Sequence, residues 1–238
     1  MTTIVKQLLI KPIISSVANK FVKLHHYSKK VVPNSNIHFG VFSDNKLSGV
    51  MQFGSPINKK GTINLVKDTE WYGMIELNRM VFLNSLPKNS ESRTIAISMK
   101  LIKKHYPKIE WVVSFADGTQ CGDGTIYRAS GFVLTAIREN TAIRINPNTG
   151  EAVHVIQAHH KMITKEFKHW KATKGYQLRY VYFINSKARK RLTVPIIPFS
   201  QIKEMGASMY KGVRVPKSRA SDDQLEKDGA NPIHSLQN

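Results

Sequence analysis

The stretch 72–118 reads YGMIELNRMVFLNSLPKNSESRTIAISMKLIKKHYPKIEWVVSFADG, and its pattern decides the fold. Its apolar runs 72–83 and 111–116 predict two buried strands, the first of them central in a sheet. Between these runs, Asn89 or Ser90 can cap a helix that Pro107 ends. A strand, a helix and a second strand in this order predict a parallel strand pair joined by a right-handed crossover.

The patterns on both sides of this stretch extend the prediction to one domain over residues 1–150. Apolar residues at three- and four-residue spacing predict a helix that ends near residues 25–28, namely Ile13, Val17, Phe21 and Leu24. The runs 37–42 and 47–53, joined by four polar residues, predict a hairpin. A short helix over 125–130, closed by Gly131, and a strand over 132–137 follow. We therefore predict the fold class α/β, with a mixed central sheet flanked by helices.

Positive charge dominates the composition. The 238 residues include 36 Lys and Arg against 16 Asp and Glu, a formal net charge of +20, so a polyanion is the expected partner. Basic residues are densest over 151–220, where they alternate with aromatic ones in a way that suits phosphate contact and base stacking. For each run alone, a solvated face or a core strand is the alternative. We predict a basic DNA-binding extension over 151–217, integrated with the core, with contacts from Lys161, Lys165, Lys168, Lys171, Lys174, Arg189, Lys190 and Arg191.

Other features narrow the class of protein. Residues 218–238 have little to bury and predict a disordered tail. No run approaches the roughly 18 apolar residues of a membrane span, and the start lacks the organisation of a signal peptide, so we expect a cytoplasmic protein without a membrane partner. The single cysteine, Cys121, excludes an internal disulfide and a cysteine-rich zinc site, and its loop-like surroundings favour an incidental thiol over a nucleophile. The nine histidines show no ligand spacing, so we predict no metal.

Four short motifs carry the residue types that chemistry needs. They are His25-His26-Tyr27-Ser28, Glu76-Leu77-Asn78-Arg79, Ser114-Phe115-Ala116-Asp117 and GTIYRASGF over 124–132. Their order and spacing, over residues 20–137, resemble those of the phage Mom family. The resemblance implies a GNAT-like fold and the conversion of adenine in duplex DNA to an N6-carbamoylmethyl derivative, which shields phage DNA from restriction. Double-stranded DNA is then the partner, in the cytoplasm of the host cell.

The resemblance also implies catalytic roles, each of which has a structural alternative. Adenine N6 is a poor nucleophile because its lone pair is delocalised into the ring, so the reaction needs a positioned base and an activated electrophile. Asp117 is the candidate base, since partial desolvation at the end of an apolar strand would raise its proton affinity, whereas the alternative is an Asp that caps its loop. Tyr127 is the candidate to stack on a flipped base or to donate a proton to a leaving group, with a core aromatic as the alternative.

Two further motifs complete the predicted site. Arg79 lies in an apolar run, where a guanidinium must be paired or bind an anion, and Glu76 should face the other side of a regular strand. We therefore predict that Arg79 contacts a donor phosphate or carboxylate. His26 and Tyr27 end the first helix on the acceptor side, where His26 acts in proton transfer or is an ordinary surface histidine. The remaining substrate or donor contacts are predicted to be Glu76, Asn78, Ser90, Ser92, Arg93, Ser114 and Thr125.

The donor is the open point. GNAT enzymes typically cradle the pyrophosphate of the donor with a glycine-rich loop at a helix start, but residues 79–92 contain no glycine. Acetyl-coenzyme A is therefore one candidate beside another activated donor, such as an aminoacyl-tRNA, with tRNA as a second partner. Two other functions compete: an N-acetyltransferase acting on RNA or a protein, and a DNA-binding protein without catalysis.

Overall fold

The computed structural model of the protein describes residues 8–117, 124–140, 143–150, 152–172, 175–207, 209–210 and 213–214. In chain order the elements are β1 (Leu8–Pro12), α1 (Ser15–His25), β2 (Ser35–Ser43), β3 (Lys46–Gly54), α2 (Lys59–Ile63), β4 (Met74–Phe82), α3 (Ser90–His105), β5 (Trp111–Asp117), α4 (Thr125–Ala129), β6 (Val133–Asn140), β7 (Ile143–Ile145), β8 (Ala152–His154), α5 (Val155–His160), α6 (Thr164–Phe167), β9 (Lys171–Ala172), β10 (Gly175–Phe183), α7 (Ser186–Arg189), α8 (Ser200–Glu204), β11 (Met209–Tyr210) and β12 (Val213–Arg214).

The main sheet has seven strands in the order β1-β2-β3-β4-β5-β10-β6. β4 and β5 are parallel, with α3 between them in the chain, and the other neighbouring strands are antiparallel. Helices cover this sheet, which confirms the predicted class of an α/β fold with a mixed central sheet. The predicted hairpin is β2 and β3, and its two-residue turn places Asp44 and Asn45 at φ values of 51° and 61°.

The parallel pair at the centre of the sheet separates early. Only Met74–Leu77 pair with Trp111–Ser114, although β4 runs on to Phe82 and β5 to Asp117. Within the described residues, the ladder between these two strands does not continue past Leu77 and Ser114. The sheet is therefore split at this position, in its middle.

The predicted first helix forms, but it buries a different face. Ala18, Phe21 and Val22 of α1 are buried and pack against β3 and β4, whereas Val17 and Leu24 are 41% and 62% exposed. The four residues whose spacing predicted the helix are therefore not all on its buried face. The short side chain of Ala18 lets the helix approach the sheet closely, and the contact face is turned toward residues 18 and 22 as a result.

α3 forms as predicted and supplies one layer of the core. Ile95, Met99 and Ile102 are buried in the largest cluster of apolar side chains. Asn89 occupies the N-cap position at φ 65°, but neither it nor Ser90 caps the helix as expected, since the Ser90 hydroxyl donates to the Pro87 carbonyl instead.

Even α3, with 16 residues, falls short of a membrane span, and no other helix in the described part of the chain is long and apolar enough.

The late part of the chain builds both a small unit and a core strand. β7, β8 and β9 form a separate three-stranded sheet, and with α5 and α6 they bury Val153, Ala158 and Phe167. β10 then enters the main sheet between β5 and β6, where Tyr180 is fully buried. For the aromatic run 179–183, the alternative of a core strand is therefore correct. The predicted boundaries at residues 150 and 217 remain predictions as functional divisions, and the predicted tail 218–238 lies outside the described residues.

The packing of Tyr180 against the start of α4 can be tested with one glycine. Gly124 has φ 74°, and a Cβ there would collide with the Tyr180 hydroxyl, whereas at Gly131, φ 81°, the nearest atom lies 3.7 Å away on Tyr182. We expect Gly131→Ala to lower the free energy of unfolding by about 1–2 kcal/mol, the strain of a left-handed alanine. Gly124→Ala should lower it by roughly 2–5 kcal/mol, because overpacking adds about 1–3 kcal/mol. Urea unfolding measures both, and equal losses would contradict this packing.

Candidate functional site

A β-bulge in β4 determines which residues of the motif Glu76-Leu77-Asn78-Arg79 lie on the same face of the sheet. Phe53 of β3 pairs with Leu77, but the next residue, Gln52, pairs with Arg79, so Asn78 is an extra residue in β4. Because residues opposite each other in an antiparallel pair share a face, Glu76 and Arg79 lie on the same face of the sheet. The expectation that they face opposite sides was wrong, since it assumed a regular strand.

Arg79 connects this bulge to the chain that follows α1. Its Nε donates to the Lys30 carbonyl at 2.9 Å, and one terminal nitrogen donates to the Asn78 carbonyl at 2.6 Å. Burial lowers the pKa of Arg79, while Tyr27 and Glu76 act in the opposite direction. An arginine stays charged in proteins, so the site holds a partly desolvated cation.

Glu76 is a carboxyl group that titrates near neutral pH. Burial raises its pKa from 4.5 to about 7, and the nearby Arg79 offsets part of that rise. A group with a pKa close to the working pH can both take up and release a proton readily. The predicted role of Glu76 was substrate or donor contact, and its protonation behaviour adds acid–base chemistry to the possible roles.

His26 and Tyr27 lie beside the same arginine. The His26 Nδ1 accepts hydrogen bonds from the Ser28 backbone, at 3.1 Å, and from the Ser28 hydroxyl, at 2.8 Å. Burial and the positive charge of Arg79 lower the pKa of His26 to about 4, so the imidazole is neutral at physiological pH. Tyr27 is 60% exposed, and one side of its ring lies 4.3 Å from the His26 ring. The structure therefore brings His26, Tyr27, Glu76 and Arg79 together, and the catalytic and binding roles predicted for them stay predictions.

A second polar group lies where β4 and β5 part. The Ser114 hydroxyl donates to the Leu77 carbonyl at 3.1 Å, and the Tyr127 hydroxyl lies 3.0 Å from the same serine oxygen. Because the serine has a single hydroxyl proton, Tyr127 is the donor of the second bond. The Tyr127 ring is stacked on Tyr180 at 4.2 Å and an interplanar angle of 7°. Ser114 and Tyr127 thus form a short hydrogen-bonded chain at the last paired position of the two strands.

The bulged residue itself presents a buried donor. Asn78 is 8% exposed, and its Oδ1 accepts a hydrogen bond from the Ser35 hydroxyl at 2.9 Å. Its amide nitrogen meets no hydrogen-bond partner among the residues that the structure describes. A buried donor without a partner is unfavourable by about 1–3 kcal/mol, which a bound acceptor would relieve. Asn78 is thus suited to hold a carbonyl or amide oxygen of a ligand.

The other predicted substrate contacts are more dispersed. Ser90 is fully buried and bonds to the Pro87 carbonyl, while the Ser92 hydroxyl donates to the Asn89 carbonyl at 3.2 Å. Arg93 and Thr125 are exposed at the first turns of α3 and α4, and Asp117 is the half-buried last residue of β5. The two serines stabilise the loop before α3, and the donor role predicted for them stays a prediction.

The residues predicted to contact DNA are exposed in most cases, but one of them binds other parts of the protein. The exposed ones are Lys161, Lys165, Lys168, Lys171, Arg189 and Lys190, and Lys174 lies outside the described residues. Arg191 is already engaged: it donates to the carbonyls of Lys67 and Asp68, at 2.7 and 2.9 Å, and to Glu110 at 2.6 Å. Arg191 therefore holds the end of α7 against the loop before β4, and its role in DNA binding stays a prediction.

Sequence reasoning missed a polar row beneath α1. Gln52 is fully buried in β3, opposite Arg79, and its amide donates to Asn19 at 2.9 Å and to His38 Nδ1 at 3.1 Å. The signal was present, because a glutamine between Met51 and Phe53 in an apolar run needs partners for the same reason that Arg79 does. This row stabilises the face of the sheet on which Glu76 and Arg79 lie.

The pKa of Glu76 gives the stability of the protein a definite pH dependence. Because the folded pKa, about 7, lies above the ordinary 4.5, the folded state keeps a proton that the unfolded chain loses over that interval. The contribution of Glu76 to the free energy of unfolding is therefore present below about pH 4.5 and falls by about 3 kcal/mol as the pH rises to 7. We expect Glu76→Gln to gain stability relative to the wild type between pH 5 and pH 8 in thermal melts. Glu139→Gln, at an exposed carboxylate, is the control, and parallel curves for Glu76→Gln and the wild type would refute the shift.

Comparison with known proteins agrees with the motifs. The family model of the Mom protein family matches residues 7–201. The methylcarbamoylase Mom of Escherichia phage Mu is 36% identical over 200 residues, which are 80% of this chain and 81% of that protein. Among solved structures, a Bacillus subtilis acetyltransferase in complex with CoA is 12% identical, covers 74% of this chain and 99% of its own, and has a TM-score of 0.46. The spermidine/spermine N-acetyltransferase SpeG of Vibrio cholerae is 10% identical, covers 77% and 96%, and also has a TM-score of 0.46. By the family match and the identity to the phage Mu protein, this chain belongs to the Mom protein family.

Proposed function

We propose that this protein is a transferase that places a carbamoylmethyl-type group on N6 of adenine in duplex DNA, and that the modification protects phage DNA from restriction. The relative from phage Mu is named a methylcarbamoylase, which supports a group-transfer reaction. The observation that carries the proposal is the bulge in β4, which sets Glu76 and Arg79 on one face, beside His26. A carboxyl group with a pKa near 7 next to a desolvated cation suits acid–base chemistry on a weak nucleophile.

The proposed reaction forms one bond and breaks another. N6 of adenine attacks the methylene carbon of the donor, and the leaving group departs with the electron pair of its bond to that carbon. Glu76 accepts the proton that N6 loses, since its pKa of about 7 leaves much of it ionised at neutral pH. The Tyr127 hydroxyl releases its hydrogen bond to Ser114 and donates that proton to the leaving group, and the proton on Glu76 returns to the tyrosine through solvent. No external oxidant or reductant is needed.

The other residues of the site bind and orient. Asp117 accepts a hydrogen bond from the adenine amine, Asn78 donates its amide to the oxygen of the transferred group, and Arg79 binds an anionic part of the donor. A base in a duplex must leave the stack before a side chain can reach N6 in an enclosed site. Tyr180 already covers one face of the Tyr127 ring, at 4.2 Å, so we assign stacking on the extruded adenine to the exposed ring of Tyr27.

The donor is proposed as an activated carrier with an anionic group. The start of α3, with the exposed Arg93, is a basic region on the C-terminal side of β4 that could receive such a group. The displacement needs a leaving group on the methylene carbon: an aminoacyl-tRNA of glycine carries an amino group there, whereas acetyl-coenzyme A carries only hydrogen and would transfer an acetyl group instead, so the two carriers are compared by the mass of the adduct. Each carrier is added in turn to a mixture of purified protein, DNA and a small-molecule extract. The carrier whose addition restores modification is the donor.

The primary test asks whether the protein modifies adenine in cells. After expression in bacteria, the genomic DNA is digested to nucleosides, and mass spectrometry should find deoxyadenosine heavier by one carbamoylmethyl group. Tyr127→Phe, which keeps the stacked ring, should reduce the adduct about 100-fold or more, the usual contribution of a positioned proton-transfer group. Asp117→Asn should reduce it about tenfold or more, the loss of a hydrogen bond to a charged group. Unmodified DNA in cells that contain soluble, folded wild-type protein would contradict the proposal.

The pH dependence of the reaction tests the role of Glu76. Because the carboxylate is the active form of a base, the single-turnover rate with purified protein should rise with pH about a midpoint near 7, the pKa of Glu76. His26 adds no step between pH 5.5 and 8.5, since its pKa is about 4. Glu76→Gln should remove the rise and lower the rate about 100-fold, while Glu139→Gln should keep both. A rise that survives in Glu76→Gln would assign the proton to another group, such as Asp117.

A further inference from the structure

An exposed cluster of apolar and basic side chains lies on the chain between β3 and β4. Trp71 and Tyr72 are 47% and 70% exposed, and Ile57 is 89% exposed. Lys59 and Lys60 are at the start of α2 beside them. We call these five residues, Ile57, Lys59, Lys60, Trp71 and Tyr72, the aromatic patch.

The patch is held together by contacts between a cation and two rings. The Lys59 ammonium lies 4.5 Å from the centre of the Trp71 ring and 5.2 Å from that of Tyr72. Burial in this position lowers the pKa of Lys59. Each such contact stabilises by about 0.5–1 kcal/mol at an exposed site, which favours this arrangement of the two rings although much of their surface faces solvent.

The patch is continuous with the candidate site. Four of its residues, all but Tyr72, line a shallow depression together with Asn34 and Ser55, and the Asn34 amide donates to the Ser55 carbonyl. The residue after Asn34, Ser35, is the one that bonds to Asn78 in the bulge. In addition, Trp71 and Tyr72 precede β4, the strand that carries Glu76, with only Gly73 between them and its first residue.

We propose that the aromatic patch binds the DNA strand that flanks the target adenine, with Trp71 and Tyr72 stacked on its bases and Lys59 and Lys60 on its phosphates. This inference rests on the proposed function, in which duplex DNA is the acceptor. Extruding a base leaves the faces of its neighbours uncovered, and an aromatic or aliphatic side chain beside the site can cover them. The net charge of +20 makes a polyanion the complementary partner for this surface.

The basic residues predicted for DNA binding do not supply this stacking surface. Around Lys161–Lys171, the aromatic residue Phe167 is buried in the core of the small unit and Trp170 is half-buried. Tyr180 is fully buried in the main sheet. The exposed lysines of that segment suit phosphate contact, whereas the aromatic patch combines two exposed rings with two cations next to the site.

The test measures binding and stacking separately from modification. Trp71→Ala/Tyr72→Ala is compared with Tyr106→Ala, at a ring 42% exposed after α3. For a duplex with one adenine opposite an abasic site, we expect the double variant to have a Kd at least about tenfold higher, while the control changes less than about twofold. Lys59→Ala/Lys60→Ala should flatten the dependence of log Kd on log salt by about two units, one per lost phosphate contact.

Tryptophan fluorescence detects the stacking directly. In a Trp170→Phe background, in which Trp111 is fully buried, DNA should quench the emission of Trp71, and this quenching should disappear in Trp71→Phe, a variant that keeps an aromatic ring. If wild-type protein modifies DNA but neither quenching nor the loss of affinity appears, the aromatic patch is not a DNA surface, while the proposed function stands. If wild-type protein neither binds nor modifies DNA, the proposed function fails, and the inference with it.

Discussion

The extra residue in β4 fixes the chemistry of the site by turning Arg79 onto the face that Glu76 already occupies. In a regular strand, that guanidinium would point among the apolar side chains beneath α3, where a charge without partners is strongly unfavourable. The bulge instead gives it the Lys30 and Asn78 carbonyls. It also couples two titrations, since the cation adds to the effect of burial in lowering the pKa of His26 and offsets part of the rise that burial causes in the pKa of Glu76. Moving this one charge would change the protonation of both neighbours.

The split in the sheet depends on residues that are far apart in sequence. Ser114 and Tyr127 close the gap after Leu77 with two hydrogen bonds, and the Tyr127 ring is supported by Tyr180 from β10. After β6 the chain forms the small unit with β7, β8 and β9. It then returns to the main sheet as β10, which lies between β5 and β6. A disturbance in the late, basic part of the chain would therefore reach Tyr127 through its stacked partner.

The sequence predicted the elements well because their signals are local. The apolar runs of β4 and β5 and the helix between them are properties of neighbouring residues, and so is the turn at Asp44 and Asn45. The bulge is not local, since it exists only as a register between β4 and β3. Likewise, the basic run ending at Arg191 gave no sign that this residue pairs with Glu110, 81 positions earlier. The motifs indicated which residues belong to the candidate site, but only the strand pairing determined which of them face one another.

Charge and stacking have different roles in the proposed contact with DNA. The exposed lysines of the late segment act at a distance and without regard to sequence, and their effect weakens with salt. The rings of Trp71 and Tyr72 act only on bases that have lost their neighbours in the stack. Because they lie just before the strand that carries Glu76, their contribution grows as the adenine leaves the duplex, which favours the extruded state over the closed one. A desolvated carboxyl group such as Glu76 needs that bias, since it can act only on an amine that has been brought to it.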